Sequence, residues 1–248
     1  MTNKGKYYES QFEEATIELL REAHWQYAFG DDIHRKYTDP LIEEDLRNFL
    51  AVQYKDKNLT TSEMDSIVAN LRNTGGQNDY YALRNAFLLY RDGYHFAYSD
   101  GRDNPFRLEY IDFEHPDHNI FRCVNQFVME QGRENRRPDI LLFVNGIPVC
   151  IIELKNPTKQ NATIRDAHTQ ICTRYMRDIP ALLKYCALAV ISDGAKNALK
   201  LLGGKVEKVH KFNLPCDEGE RTIIVIKKVK PTPKQYPRIS GKIKSQPL

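Results

Sequence analysis

Residues 136–155 read RRPDILLFVNGIPVCIIELK, and this stretch decides the fold. It contains two apolar runs joined by Asn145-Gly146. An Asn-Gly pair between apolar runs is a strong indication of a β-hairpin, because both residues accept the positive φ angles of a tight turn. The stretch therefore predicts two antiparallel strands, with Asp139 at the start of the first and Glu153 near the end of the second.

The charged residues of this hairpin predict a site for phosphodiester hydrolysis. Residues two apart on a strand share a face, so Glu153 and Lys155 point the same way, and antiparallel pairing can bring Asp139 alongside them. A phosphodiester repels hydroxide, so a divalent cation must neutralise the phosphate and acidify a water. Two carboxylates suit Mg²⁺ or Mn²⁺. Lys155 can orient or deprotonate the attacking water and stabilise developing charge.

A simpler interpretation of Glu-x-Lys also stands, since the pattern is common on exposed strands. Here the preceding residues, 149–152, are all apolar. Charges at the end of a buried strand cost free energy unless they are paired or bind a metal. The residues alone leave both interpretations open.

The rest of the chain predicts an α/β core with a mixed sheet and a helical N-terminal elaboration. Five helices are predicted. They cover residues 7–28, a stretch that begins at Asp39, a stretch that begins at the cap Thr60-Thr61-Ser62, residues 79–93, which end at Gly93, and residues 161–177. Strands are predicted over 106–114 and 119–130, and 185–192 is expected to be a buried strand.

Bulk properties exclude several classes of protein. No run of about 18 apolar residues is present, so a membrane span is not expected. The start of the chain lacks the apolar stretch of a signal peptide. The five cysteines are an odd number without a C-x-x-C pair, which argues against a disulfide framework or a zinc knuckle and favours a reducing cytoplasm.

The charge is distributed unevenly along the chain. Residues 197–248 hold 12 Lys and Arg against 4 Asp and Glu, a balance of +8, so the remainder sums to −5. This asymmetry predicts two parts of different origin or task, although a solvated lysine-rich surface is the alternative. We expect domains over residues 1–195 and 196–248.

The phrase RRPDILLFVNGIPVCIIELKNP, residues 136–157, resembles the signature of type I restriction R subunits, whose nuclease belongs to the PD-(D/E)xK superfamily. Further segments resemble the same family in the same order: YYESQFEEATIELL, YIDFEHPDHNIF, VNQF and YMRDIPALLKYCALAVISDG. The resemblance covers about residues 7–194. It implies Asp139, Glu153 and Lys155 as the catalytic set of a magnesium-dependent endonuclease. It also implies duplex DNA as substrate, and methylase and specificity subunits as partners.

The same resemblance implies additional site residues. The family often places a glutamate on the first helix near the metal, and Glu13 matches best, although acids favour a solvated helix start anyway. The family also carries a Gln-x-x-x-Tyr pair that is tied to DNA contact and cleavage. Here Gln170 and Tyr175 are five apart, so on an α-helix their directions differ by roughly 140°. Gln170 and Arg174 would instead share a face toward DNA.

Two arginines precede the catalytic aspartate. Arg136 and Arg137 are candidates for phosphate contacts, which position DNA without reading its sequence, or they are a solvated pair. A complete R subunit continues into an ATP-driven motor. The sequence has no G-x-x-x-x-G-K-[ST] loop, so no ATP site is expected in it.

The C-terminal part has a different resemblance. Residues 198–215 and 220–248 are similar to the end of small-subunit ribosomal RNA guanine-N7 methyltransferases, which implies a final β-hairpin and a basic terminus. No Gly-rich loop for the methyl donor follows a predicted strand, so methylation is not expected. Because the resemblance changes after Gly194, we expect a fusion near residues 195–200.

Three functions follow as hypotheses. The first is a weak, sequence-nonspecific DNA endonuclease that lacks its motor. The second is a catalytically silent DNA-binding or assembly module, the remnant of a truncated R subunit. The third is an RNA-binding module that acts through the basic tail.

Overall fold

A computed structural model describes residues 9–154, 164–192, 204–213 and 220–228. The chain divides into two compact units, Met1–Ser192 and Asp193–Leu248. Helices of the first unit are α1 (Glu9–Glu22), α2 (Glu43–Gln53), α3 (Thr61–Arg72), α4 (Asp79–Asp92), α5 (Ile164–Thr169), α6 (Met176–Asp178) and α7 (Pro180–Leu183). Its strands are β1 (Gln26–Phe29), β2 (Tyr94–Phe96), β3 (Phe106–Leu108), β4 (Phe121–Asn125), β5 (Met129–Gln131), β6 (Glu134–Arg136), β7 (Ile140–Val144), β8 (Ile147–Leu154) and β9 (Leu188–Ser192).

Five of these strands form one mixed sheet in the order β1-β4-β7-β8-β9. The two edge pairs, β1 with β4 and β8 with β9, are parallel. The central pairs, β4 with β7 and β7 with β8, are antiparallel. The predicted α/β core with a mixed sheet is confirmed.

The β7–β8 hairpin turns at Asn145-Gly146, as predicted. Asn145 has a φ of 50° and Gly146 a φ of 75°, both in the left-handed region that this turn requires. A Cβ on Gly146 would collide with the carbonyl oxygen of Ile42. Ile42 immediately precedes α2, and its N–H donates to the Gly146 carbonyl at 2.9 Å. The turn therefore seats the start of α2.

Alternating residues of the hairpin pack on opposite faces of the sheet. Leu141, Phe143 and Ile151 share one buried cluster with residues of the C-terminal helices, among them Ile171 and Leu182. The other face carries a second buried cluster, which consists of Ile17 of α1 with Cys123, Ile140, Cys150, Ile152 and Leu154. Both faces of the central strands are thus covered, which explains why β8 is apolar at nearly every position.

The helix predicted over residues 7–28 is too long. α1 ends at Glu22, His24 adopts a φ of 67°, and residues 26–29 form β1. Tyr27 pairs with Cys123 in β4. The helical spacing of apolar residues continued past Glu22 by coincidence, and strand pairing overrode it.

Two strand predictions also need correction. The strand predicted over residues 119–130 is two strands, β4 and β5, because Gln126 has a φ of 55° and interrupts the extended backbone. Of the predicted strand over residues 106–114, only β3 forms. The strand expected to be buried, β9, lies at the edge of the five-stranded sheet and exposes Leu188 (61%) and Val190 (42%).

Local helix signals were more reliable. The cap before α3 is confirmed as a capping box: Thr60 accepts from the Glu63 N–H, and the Glu63 carboxylate accepts from the Thr60 N–H. The helix expected to stop at Gly93 is α4, which ends there with φ 67°. The helix expected from Asp39 begins at Glu43.

The second unit contains a hairpin of β10 (Gly204–Asn213) and β11 (Glu220–Lys228), which are antiparallel. The predicted C-terminal β-hairpin is confirmed. Every helix in the described ranges falls short of the length and apolar content that a membrane crossing needs.

Candidate active site

Asp139 and Glu153 come together at the open end of the β7–β8 hairpin. Ile140 pairs with Ile152, so the same register sets Asp139 opposite Glu153, on the face that α5–α7 cover. The Asp139 Oδ2 accepts a 2.6 Å hydrogen bond from the Leu154 N–H. Glu153 is only 1% exposed. Two carboxylates therefore share one face of adjacent strands, as the sequence indicates.

The Glu153 carboxylate is held by two side chains from the helix that follows the hairpin. Gln170 Nε2 donates to Glu153 Oε1. The Tyr175 hydroxyl donates to Glu153 Oε2 at 3.2 Å and accepts from Gln170 Nε2 at 2.7 Å. Burial and the negative charge of Glu153 raise the pKa of Tyr175. The phenol therefore remains protonated and remains a donor.

The contact between Gln170 and Tyr175 overturns the prediction that their side chains diverge. Residues Gln170–Tyr175 form a π-helical segment between α5 and α6. The Met176 N–H bonds to the Ile171 carbonyl, five residues back, and this spacing places residues five apart one turn above each other. The α-helical angle of roughly 140° does not apply to such a segment. Tyr175 consequently faces the buried carboxylate and is 2% exposed.

The three arginines predicted to contact DNA differ in their surroundings. Arg137 and Arg174 are exposed. Arg136 instead donates to Asp178 at 2.7 Å and to Glu134 at 2.6 Å. Together with Arg177, Arg136 holds the pKa of Asp178 below its usual range. The Arg136 guanidinium thus links β6 to α6, while DNA contacts by Arg137 and Arg174 remain a prediction.

Glu13 joins the edge of the site through side chains that the sequence did not single out. Its carboxylate accepts from Asn125 Nδ2 at 2.8 Å and from Gln126 Nε2 at 3.0 Å. The Gln126 N–H in turn donates to the Asp139 carbonyl at 3.3 Å. Glu13, Asn125 and Gln126 line a cleft of about 510 Å³ between α1 and β4. Asn125 and Gln126 belong to the VNQF segment, and this polar pair between two apolar residues was the available sequence signal for their contact with Glu13.

Glu13 does not complete a three-carboxylate cluster. Within the described ranges, the single His/Cys/Asp/Glu trio with ligand atoms all inside 4.8 Å of one another lies elsewhere. Glu13 is therefore not within that distance of both Asp139 and Glu153, and its role as a metal ligand stays a prediction. Lys155 lies outside the described residues, so its catalytic role stays a prediction.

Comparison with known proteins assigns this architecture to a class. The chain is 30% identical over 196 residues to the HindI endonuclease subunit of a type I restriction enzyme from Haemophilus influenzae, covering 75% of this chain and 18% of that relative. It is 31% identical over 190 residues to a putative type I restriction enzyme MjaIXP endonuclease subunit from Methanocaldococcus jannaschii, covering 73% and 18%.

The family is shown directly. The family model described as "Type I restriction enzyme R protein N terminus" matches residues 6–199, and the chain belongs to this family. The chain corresponds to the N-terminal region of its R-subunit relatives and spans about a fifth of their length.

A second similarity accompanies the first. The chain is 44% identical over 68 residues to ribosomal RNA small subunit methyltransferase G from Bacillus velezensis, which covers 27% of this chain and 28% of that relative. A similar match to methyltransferase G from Acetivibrio thermocellus is 37% identical over 99 residues, or 34% of this chain and 41% of that relative. The expected resemblance to methyltransferases is thereby seen in part.

Proposed function

We propose that this chain is a metal-dependent DNA endonuclease domain with a PD-(D/E)xK core, the nuclease part of a type I restriction R subunit. The observation that carries the proposal is the pair Asp139 and Glu153 on adjacent strands, with Glu153 almost fully buried. A buried carboxylate costs free energy unless it is paired or binds a cation. Membership of the R-subunit family supports the same function.

The donor set fits a hard divalent cation. Asp139 and Glu153 offer only oxygen atoms, which suit Mg²⁺ or Mn²⁺, and Mg²⁺ keeps several waters beside one or two protein carboxylates. When bound, the cation would neutralise the phosphate and acidify a water. Lys155, two residues after Glu153 on the predicted strand, would orient that water and stabilise the developing charge.

Gln170 and Tyr175 act in this proposal as positioning residues for Glu153. Each donates a hydrogen bond to one oxygen of the carboxylate, so together they fix its rotation. A carboxylate held by two donors loses less entropy when it binds a cation. Their contribution to DNA cleavage then goes through Glu153 rather than through direct contact with DNA.

The substrate in this proposal is duplex DNA, gripped through its phosphates. Arg137 and Arg174 are exposed and supply positive charge for sequence-independent contacts. In a restriction complex, methylase and specificity subunits would be the partners, and sequence recognition would come from them. These 248 residues lack the P-loop pattern, so the proposal assigns them no ATP-driven translocation.

One observation favours a second function, a catalytically silent DNA-binding or assembly module. Both oxygens of Glu153 already accept hydrogen bonds from protein side chains. These bonds offset part of the cost of burying the carboxylate, even without a cation. A domain that cleaves only when a motor acts on it would behave in the same way by itself.

Nicking of supercoiled plasmid by the purified chain separates these functions. The nuclease should convert supercoiled DNA to open circles with Mg²⁺ or Mn²⁺, and chelation by EDTA should stop it. Asp139→Ala and Lys155→Ala should each abolish nicking. Nicking that persists in EDTA would contradict the proposal, whereas binding of the cation without nicking would favour the silent module.

Tyr175→Phe should lower metal-dependent nicking by about tenfold while the chain remains folded. The substitution removes one hydrogen bond to a charged carboxylate, an interaction of about 1.5 kcal/mol, which corresponds to about one factor of ten in rate. The measurement is the nicking rate at several Mg²⁺ concentrations. Tyr81→Phe, on an exposed part of α4, is the matched control and should nick at the wild-type rate. An unchanged rate for Tyr175→Phe would rule out the positioning role.

A further inference from the structure

A second cluster of potential metal ligands lies far from the carboxylate pair. It consists of Asp112, His115 and His118, one ligand atom of each lying within 4.8 Å of the other two. The Nδ1 of His118 is 3.0 Å from Asp112 Oδ2, and the Nδ1 of His115 is 3.8 Å from Asp112 Oδ1. The three residues share one short loop before β4, so chain entropy costs little in bringing them together.

The Asp112 carboxylate is fixed in place and ionised. Its side chain is 7% exposed, and the N–H groups of Glu114 and His115 donate to Oδ1 at 3.0 and 2.8 Å. Gln53, at the end of α2, donates to Oδ2 at 3.2 Å. Hydrogen bonds from the His115 backbone, His118 and Gln53 keep the pKa of Asp112 below its usual range. The carboxylate is therefore a preorganised ligand.

The two histidines are aligned by the backbone between them. Residues Pro116–His118 form a turn of 3₁₀ helix, in which side chains three apart eclipse each other. The rings of His115 and His118 are accordingly stacked, with centroids 4.9 Å apart and planes at 15°. Their side chains are 62% and 51% exposed, so both rings are open to an ion from solvent.

The loop that carries the cluster is itself pinned. Asn119 donates to the Asp112 carbonyl at 2.7 Å and accepts from the Asp112 N–H at 2.9 Å. Asn145, in the hairpin turn, donates to Asn119 Oδ1 at 2.8 Å. The cluster thus adjoins the turn end of the hairpin. Asp139, just before β7, is six residues from Asn145, which corresponds to roughly 20 Å at the rise of a β-strand.

We propose that Asp112, His115 and His118 bind one divalent transition-metal ion, with Zn²⁺ the best match. Two imidazoles and one carboxylate form a mixed nitrogen and oxygen donor set, which suits Zn²⁺, Ni²⁺ or Co²⁺ rather than Mg²⁺. Binding exchanges the contact of His118 with Asp112 for bonds to the ion and leaves a fourth position for water. The ion would clamp the loop of residues 111–119 onto the hairpin turn, independently of the Asp139–Glu153 pair.

The test is titration of the full, metal-stripped chain with Zn²⁺ by calorimetry and with Co²⁺ by absorption. The expected result is one ion per chain, unchanged by Asp139→Ala, with a higher melting temperature when Zn²⁺ is bound. His115→Asn and His118→Asn should each weaken binding by at least about tenfold. His95→Asn, an exposed histidine on β2, is the matched control and should bind like the wild type.

One other pair of potential metal ligands, Cys172 and His168, must be distinguished from this cluster. The Sγ of Cys172 lies 3.5 Å from His168 Nε2, so that pair can also attract Co²⁺ or Zn²⁺. Cobalt bound there would show a thiolate charge-transfer band, which Cys172→Ser removes. The proposal is overturned if the chain takes up no Zn²⁺, or if binding survives in folded His115→Asn and His118→Asn but is lost in Cys172→Ser. Because His115 is the more exposed ring, its variant is the one least expected to disturb folding.

Discussion

Glu153→Gln should lower metal-dependent nicking of supercoiled DNA by about a thousandfold. The change keeps the size of the side chain and removes the negative charge that would hold the cation. Loss of several kcal/mol of transition-state stabilisation by a metal corresponds to a fall of this order. Asp139→Asn should have an effect of the same order, because both carboxylates would ligate one ion. The measurement is the initial nicking rate with Mg²⁺ and with Mn²⁺.

The control for Glu153→Gln is Glu44→Gln, the same chemical change at an exposed position of α2, near the turn end of the hairpin. It should nick DNA at the wild-type rate. The amide introduced by Glu153→Gln could also disturb the contacts of Gln170 and Tyr175, so folding should be checked by the melting temperature. A folded Glu153→Gln variant that nicks at more than about a tenth of the wild-type rate would contradict the assigned site.

A wild-type chain without nicking activity would leave the same variant informative. Calorimetry with Mn²⁺ then measures whether the carboxylates bind the cation at all. Binding that Glu153→Gln removes would indicate an intact metal site that waits for a motor. Absence of Mn²⁺ binding to the wild type would instead indicate that hydrogen bonds from Gln170 and Tyr175 have replaced the cation.

The features predicted correctly from the sequence depend on local chemistry. Asn145-Gly146 fixes its own turn because few other pairs accept two positive φ angles. The capping box at Thr60 and Glu63 is likewise complete within four residues. The pairing of Asp139 with Glu153 is different, because the two-residue turn alone would place Asp139 opposite Ile152. A register shift between Leu142 and Phe143 adds one residue to β8, so that Ile140 pairs with Ile152 and Asp139 lies opposite Glu153. The presence of both carboxylates on the hairpin was therefore predictable from the sequence, whereas the register that sets them opposite each other was not.

The features that the sequence did not predict depend on partners distant in the chain. β1 forms because β4 offers it a parallel edge, about a hundred residues later. The π-helical segment forms where Gln170 and Tyr175 can both reach Glu153, and no local pattern marks that extra residue per turn. A strict 3.6-residue period hence gave the wrong relation between the two side chains. Tertiary contacts with a buried charge outweigh local helix preference here.

The exposure of β9 has the same kind of cause. Its sequence is as apolar as that of β8, but it pairs on one side only within the five-stranded sheet. Apolar composition measures what a strand is able to bury, and its position in the sheet decides what it does bury. The prediction of a buried strand used the first quantity and lacked the second.

Asn145→Ala should lower the free energy of unfolding of the first unit by about 3 kcal/mol. Asn145 is fully buried; its Nδ2 donates to the Tyr110 carbonyl at 2.9 Å and to Asn119, and its Oδ1 accepts from the Ile120 N–H at 2.7 Å. Alanine would leave these buried groups without their partners, at about 1 kcal/mol for each bond. It would also occupy a left-handed φ that alanine disfavours.

Urea denaturation followed by the fluorescence of Trp25 measures this loss. Trp25 is the only tryptophan and packs edge-on against Phe121, so its signal reports on the sheet beside the turn. Asn48→Ala, at an exposed position of α2, is the control and should leave the stability within about 0.5 kcal/mol of wild type. Asn145→Gly separates the two causes, since glycine relieves the φ strain but restores no hydrogen bond. A loss below about 1 kcal/mol for Asn145→Ala would mean that water or a shifted loop makes the hydrogen bonds that Asn145 had made. The turn would then not depend on this side chain.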